Sequence, residues 1–226
     1  MNNKFFYLGK TPYSYDWYHL LSSYKKIVRP QDWILEIGSS NLQKTKQLVA
    51  YCHGLIGLEK YKKRMPKNLE LRGLNISKFG SGELKVINGD WHNLTKIFKN
   101  RKFDLVVASH VIEHVEDDLV CLNKAFAVLK KGGYFLFTTP NRLRLFERLR
   151  SVFKGERKFP YHEHLREYNK EDIEDLILRS KLCKSKTSIT GFVFGIHTGP
   201  FYMFLKHVPN FLKQWTNFWE VIIQKS

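Results

Sequence analysis

The stretch Trp33-Ile34-Leu35-Glu36-Ile37-Gly38-Ser39-Ser40-Asn41 is a short apolar run that ends on an acid, a glycine and small polar residues. That is the pattern of a strand buried on both faces and closed by a tight turn. Working outward, residues 41–51 have helical composition. Apolar runs then recur at 54–58, ending at Glu59; at 84–87, ending at Gly89-Asp90; at 103–108, ending at Ser109-His110; and at 133–138, ending at Thr139-Pro140-Asn141. Glu116, Asp117 and Asp118 load the first turn of a helix whose Leu119, Leu122, Phe126 and Leu129 repeat on one face, closed by residues 130–133. Asn169 caps another helix with Ile173, Leu176 and Ile177 inward, and residues 219–223 make a last strand. Strands alternating with helices predict a doubly wound α/β fold, with helices on both faces of a largely parallel sheet.

Composition narrows the class. The chain has 226 residues, enough for a full core, and 43% hydrophobic against 26% charged residues excludes a disordered or fibrous protein. The balance of 38 basic against 21 acidic residues, +17, predicts an anionic partner. Cys52, Cys121 and Cys183 form no C-x-x-C pair, which argues against a disulfide framework or a cysteine zinc site and fits a reducing compartment. No signal peptide and no membrane-spanning stretch are expected, so the expectation is a cytoplasmic chain, at most peripheral at a membrane surface.

In such sheets the ligand lies outside the carboxyl ends of the strands. Three of those ends carry an acid: Glu36, Glu59 and Asp90. A pyrophosphate cradle wants glycines where Ser40 and Gln43 stand. Successive acids suit instead a ligand with ribose hydroxyls, an amine and a positive centre but no phosphate, which describes S-adenosylmethionine.

At this point the chain resembles the class I S-adenosylmethionine-dependent methyltransferases, specifically the broad group that includes the ubiquinone-biosynthesis O-methyltransferases. The resemblance covers residues 30–190 and rests on several motifs in order: residues 33–38, Glu59, Gly89-Asp90-Trp91, residues 103–115, residues 128–136 and His164-Leu165-Arg166-Glu167-Tyr168-Asn169. It implies a Rossmann-like sheet with an antiparallel last strand. It also implies S-adenosylmethionine as cofactor, Glu36, Gly38, Ser40, Lys60 and Ser109 around it, Glu59 on the ribose and Asp90-Trp91 at the adenine. One departure stands out. The family's first loop has three alternating glycines; here only Gly38 remains, with Ser40 and Leu42 in the other places. Ser40 is small and Asn41 tolerates left-handed backbone, so a shifted turn is the expectation. A chain that has lost cofactor binding and acts only as a basic binding protein is the competing reading, and the three retained acids argue against it.

Methyl transfer from a sulfonium is an in-line displacement that asks the protein mainly for positioning and a closed pocket. His110, directly after the fourth strand, is the candidate base or substrate-orienting group, with His162 and His164 weaker. His110-Val111-Ile112-Glu113-His114 also spells H-x-x-E-H. Its place at the end of a parallel strand, and the lack of a clear third ligand segment, argue against a zinc peptidase. The ubiquinone-related branch carries E-x-x-E-H here and is associated with a divalent cation; with His110 in the first position no metal is expected.

The chain reads as one domain over residues 1–226: a helical cover at 1–30, a lid implied by the resemblance at 141–168, and an aromatic flap at 191–217 before the last strand. Lys60, Lys62, Lys63, Arg64 and Lys67 make one basic cluster; Arg142, Arg144, Arg148, Arg150, Lys154, Arg157 and Lys158 make the lid a second. With Leu145, Leu149 and Val152 at helical spacing, the lid reads as an element for a membrane surface or an anionic substrate. The predicted acceptor is therefore a small acidic or lipid-linked molecule, most simply methylated on oxygen. RNA ranks second, because the Asn/Asp-Pro-Pro-aromatic motif of many base N-methyltransferases is missing after the fourth strand.

Overall fold

The computed structural model describes residues 6–8, 12–65, 75–79, 82–145, 148–149, 152, 163–198, 201–205 and 207–226. The apolar run at Trp33–Ile37 is strand β2, buried almost throughout, followed by a short helix α2 (Thr45–Val49) and β3 (Gly54–Glu59), buried along its whole length. Then come β4 (Asn75–Phe79), β5 (Gly82–Asn88), α3 (Leu94–Phe98), β6 (Phe103–Ser109), α4 (Asp118–Val128), β7 (Leu129–Pro140), α5 (Lys170–Arg179), β8 (Lys186–Phe192) and β11 (Phe218–Gln224).

These strands form one sheet in the order β4-β5-β3-β2-β6-β7-β11-β8. The pairs β5-β3, β3-β2, β2-β6 and β6-β7 are parallel; β11 runs antiparallel to both β7 and β8, and β4 is an antiparallel edge. The doubly wound sheet with an antiparallel last strand is as expected. Helix α1 (Pro12–Ile27) and α2 cover one face through Leu20, Tyr24, Leu48 and Val49, while α3, α4 and α5 cover the other through Phe98, Leu122 and Leu176.

Several elements differ from the sequence reading. Strand β7 begins at Leu129, not Gly133, because Gly132 takes a left-handed turn (φ +75°) and its amide donates to the Lys225 carbonyl, drawing the segment into the sheet. Helix α2 is five residues rather than the eleven of 41–51, since the preceding residues form the turn below. Edge strands β4 and β8 were not foreseen; β8 is exposed over its first residues and has no apolar run. The aromatic segment 191–217 holds two strands and a 3-10 helix (Asn210–Trp215): β9 (Phe194–Thr198) and β10 (Phe201–Leu205) pair antiparallel, and β1 (Phe6–Leu8) joins β10 in a separate three-stranded sheet. Much of the lid falls on residues 153–162, so Lys154, Arg157, Lys158 and His162 lie outside the described residues, as do Lys67 and Arg150. Of the lid arginines that are described, Arg142 pairs with Asp172 (2.9 Å) and the buried Arg144 with Glu167 (2.8 Å).

Candidate active site

The carboxyl ends of β2, β3, β5 and β6 open onto one cleft of about 830 Å³, within the range of small-molecule sites. Its lining includes Glu36, Gly38, Ser40, Glu59, Lys60, Asp90, Trp91, Ser109 and His110, so the residues named from the sequence for the cofactor meet there with the first candidate for the chemistry, while His164 does not line it.

The turn after β2 is left-handed at Gly38 and also at Ser40 and Leu42, where the resembled family has glycine. Gly38, Ser40 and Leu42 all have positive φ (+80°, +47° and +65°), and Asn41, the residue expected to take that conformation, does not. A Cβ at position 38 would stand 2.6 Å from Val111 Cγ2, so glycine is required there. The strain at Ser40 and Leu42 is held by neighbours. The Ser40 amide donates to Glu59 Oε2 (2.8 Å), the Gly38 and Ser39 amides donate to the Leu58 carbonyl (2.8 and 3.2 Å), and the Leu42 side chain is buried.

The three acids have three different environments. Glu36 is buried, and burial pushes its carboxyl up to about 7; Thr45 and Lys44 pull it down and Glu59 adds to the rise. Among the described residues its Oε2 has no hydrogen-bond partner, and neither does the buried Ser39 Oγ. Glu59, also buried, accepts the Ser40 and Tyr61 amides, one on each oxygen, both at 2.8 Å. Each oxygen keeps a second lone pair. Asp90 is bonded to the His92 amide and ring and to Lys60 (2.9 Å); burial opposes its ionisation, but these bonds outweigh it and hold it at about 2. Trp91 is nearly buried, edge-on to Phe135, with an indole N–H that has no hydrogen-bond partner among the described residues. An orphaned buried carboxylate oxygen, a hydroxyl and a second carboxylate with spare lone pairs fit a ligand with an amine and sugar hydroxyls, as S-adenosylmethionine has.

His110, directly after β6, has a left-handed conformation (φ +53°). Its Nε2 lies 2.8 Å from Asp16 Oδ2 on α1 and its Nδ1 3.3 Å from Glu113 Oε1. Burial disfavours its charged form, but the two carboxylates outweigh burial and raise its pKa to about 10. The ring is thus an imidazolium with both protons committed: it can orient neighbours but is not poised to take up a proton. Asp16, fully buried and with Oδ1 unpartnered among the described residues, was missed from the sequence; a lone acid 94 residues from its histidine gives no local signal. Ser109 Oγ accepts from Thr138 Oγ1 (3.4 Å). His164 meets not the cofactor acids but Glu113 and His114, the three offering ligand atoms within 4.8 Å of one another.

A family model described as a methyltransferase domain matches residues 40–180, more than half of the chain. A curated protein of Mycolicibacterium smegmatis, named "Probable S-adenosylmethionine-dependent methyltransferase", is 36% identical over 75 residues, 33% of this chain. That match spans 26% of the relative's length. Among solved structures, the magnesium protoporphyrin IX methyltransferase of Synechocystis with bound S-adenosylhomocysteine superposes with a TM-score of 0.61 at 13% identity, covering 96% of this chain and 89% of that one. The N-methyltransferase NodS of Bradyrhizobium japonicum, bound to the same molecule, gives 0.59 at 13% identity over 96% and 89%. At that identity the likeness speaks for the fold. With the domain model spanning residues 40–180, which hold Glu59, Asp90 and the strands that follow, the chain belongs to the methyltransferase-domain family of S-adenosylmethionine-dependent enzymes.

Proposed function

We propose that the chain transfers a methyl group from S-adenosylmethionine to a hydroxyl of a small acceptor that carries an acidic group or a lipid tail. The observation that carries the cofactor half is the meeting of Glu36, Glu59 and Asp90 in one cleft, around a turn whose left-handed backbone is kept at Ser40 and Leu42. The cofactor, when bound, supplies an electrophilic methyl carbon on a sulfonium. The chain's own residues hold and orient. Glu36, with its orphaned oxygen, meets a cationic amine. Glu59 accepts from ribose hydroxyls while fixing the turn, and Asp90 and Trp91 bound the base. His110, fixed between α1 and β6, orients the acceptor side.

Support for an anionic acceptor comes from the rim, where Lys60, Lys63 and Arg64 line the cleft. RNA is the second reading, on the same basic rim. The deciding experiment is calorimetric titration of the chain and its Glu59→Ala variant with S-adenosylmethionine. Micromolar binding that the variant loses supports the site; no binding by the intact chain overturns it and leaves a basic binding protein. Incubation with labelled cofactor and acceptor pools then separates the two acceptor readings: label in lipid or small acids supports the first, label in RNA the second.

A further inference from the structure

The large sheet ends at β8, whose one strand neighbour among the described residues is β11. The other edge of Lys186–Phe192 therefore carries backbone amides and carbonyls that no described strand pairs. Between β8 and α5 lies an open groove of about 370 Å³. Ile177, Leu178, Cys183, Ser185, Thr187 and Ile189 line it, and none of them lines the cleft. Leu178 is 70% exposed, an apolar side chain left largely to solvent. Ser185 Oγ is buried without a hydrogen-bond partner among the described residues, so it is free to meet a backbone group laid along the groove.

The two faces of β8 differ. Residues opposite one another in a ladder share a face. Ile189 stands opposite Val221 and Thr187 opposite Ile223, on the α5 side, where Val221 and Ile223 join the core with Leu176. Lys186 and Ser188 stand opposite Gln224 and Ile222 on the α1 side. A strand added at the free edge continues this alternation, so every second side chain enters the groove and those between lie on the face of Lys186.

Charge selects what can be added. Asp172, Glu174 and Asp175 of α5 are already paired, with Arg142, Lys170 and Arg179. The exposed Lys181, Lys184 and Lys186 have no ion pair among the described residues. A second copy would bring the same lysines against these, with +17 on each chain adding repulsion. An acidic strand meets no such barrier.

We propose that β8 and the α5 groove are a docking edge for an extended acidic segment of a partner protein, which adds as a further strand with apolar side chains in the groove and acids toward the lysines. Main-chain hydrogen bonds supply the affinity, and the groove and lysines select the pattern. Strand β8 lies three strands beyond β6, the last strand of the cleft, so this docking does not depend on the reaction.

The probe is a fluorescein-labelled peptide of alternating valine and glutamate, seven residues long like β8, titrated by anisotropy at physiological salt. The expected result is saturable binding of one peptide per chain. A peptide of the same composition with its valines and glutamates in two blocks binds at least about 10-fold weaker, and a valine–lysine peptide does not bind. N-methylation of one alternate set of residues removes binding while N-methylation of the other set leaves it, because only one edge of the peptide faces β8. Leu178→Glu and Lys186→Glu, both at exposed positions, each weaken binding at least about 10-fold, and Lys96→Glu on α3 changes nothing. Circular dichroism checks each fold, and hydrogen exchange of the unaltered chain shows alternate β8 amides slowed by the peptide. The proposal is overturned if the alternating peptide does not bind, if the block peptide binds as tightly, or if both N-methylated forms bind like the parent. Sedimentation showing a dimer that Leu178→Glu dissociates also overturns it, since a second copy then fills the edge.

Discussion

The Ser40 amide donates to Glu59 Oε2 at 2.8 Å, so the turn that follows β2 is fastened to the acid that ends β3. The same carboxylate takes the Tyr61 amide on its other oxygen. One side chain thus shapes the walls of the cleft on two strands and still has lone pairs for a ligand. Glu59→Gln keeps one acceptor and loses the other; Glu59→Ala loses both. Cofactor affinity should fall in the order wild type, Gln, Ala, by about tenfold and at least a hundredfold, taking roughly 1.5 kcal/mol per charged hydrogen bond. Equal losses in calorimetry would mean the carboxylate acts only through its charge.

Glu36 sets a pH dependence. Its carboxyl titrates near 7 in the folded chain, against 4.5 as its ordinary value, because burial disfavours the anion. A cationic amine is attracted only to the ionised form, so affinity for S-adenosylmethionine should rise as pH climbs from 6 to 8. Without ligand the sign is opposite. The folded chain binds this proton more tightly than the unfolded one, so stability falls as pH rises from about 4.5 to 7. Glu36→Gln should therefore unfold at a higher temperature than the parent at pH 8, by ~2–3 kcal/mol of stability, while losing the cofactor. Parallel melts at pH 6 and pH 8 check both signs.

Ser40 carries left-handed backbone that glycine adopts without strain. Its side chain is exposed, so Ser40→Gly removes little packing. The relief of about 1–2 kcal/mol, less the entropy glycine returns to the unfolded chain, leaves a gain of ~0.5–1 kcal/mol. For a chain this size that is roughly 1–4 °C in melting temperature. Leu42→Gly should go the other way, because the leucine side chain is buried and its loss leaves a cavity.

Asp16 pins α1 to the end of β6 through His110. Asp16→Ala leaves a buried imidazolium with one carboxylate instead of two and should cost about 3 kcal/mol of stability. Hydrogen exchange should locate the loss in α1 amides before the central strands; uniform deprotection would contradict a local anchor.

The sheet's centre was legible because its strands are unbroken apolar runs ended by an acid or a turn residue: Trp33–Ile37, Gly54–Glu59 and Phe103–Ser109. Burial on both faces writes itself into composition. Edge strands do not have that signature, and Lys186–Phe192, with its exposed lysine, threonine and serine, reads as loop until β11 is there to pair with it. The acids at strand ends were legible for the same reason the strands were. The partners of His110 and His114 were not, since Asp16 and His164 reach them across 94 and 50 residues of chain. The turn shows a third case. Losing two glycines suggested a rearranged loop led by Asn41, yet the Leu58 carbonyl accepts from Gly38 and Ser39, the Glu59 carboxylate accepts from Ser40, and burial holds Leu42, so Ser40 and Leu42 stay left-handed through tertiary contacts that no local preference contains.

Strand β11 lies between β7 and β8 although both precede it in the chain. During synthesis, then, the growing sheet presents β7 with one bare flank and leaves β8 without a neighbour until residues 218–224 leave the ribosome. Unpaired flanks of apolar strands are templates for other chains. Translation that stops short of Phe218 yields a molecule holding most of its cleft and an adhesive border, so clearance of aborted chains bears on how much of this protein a cell can keep in solution.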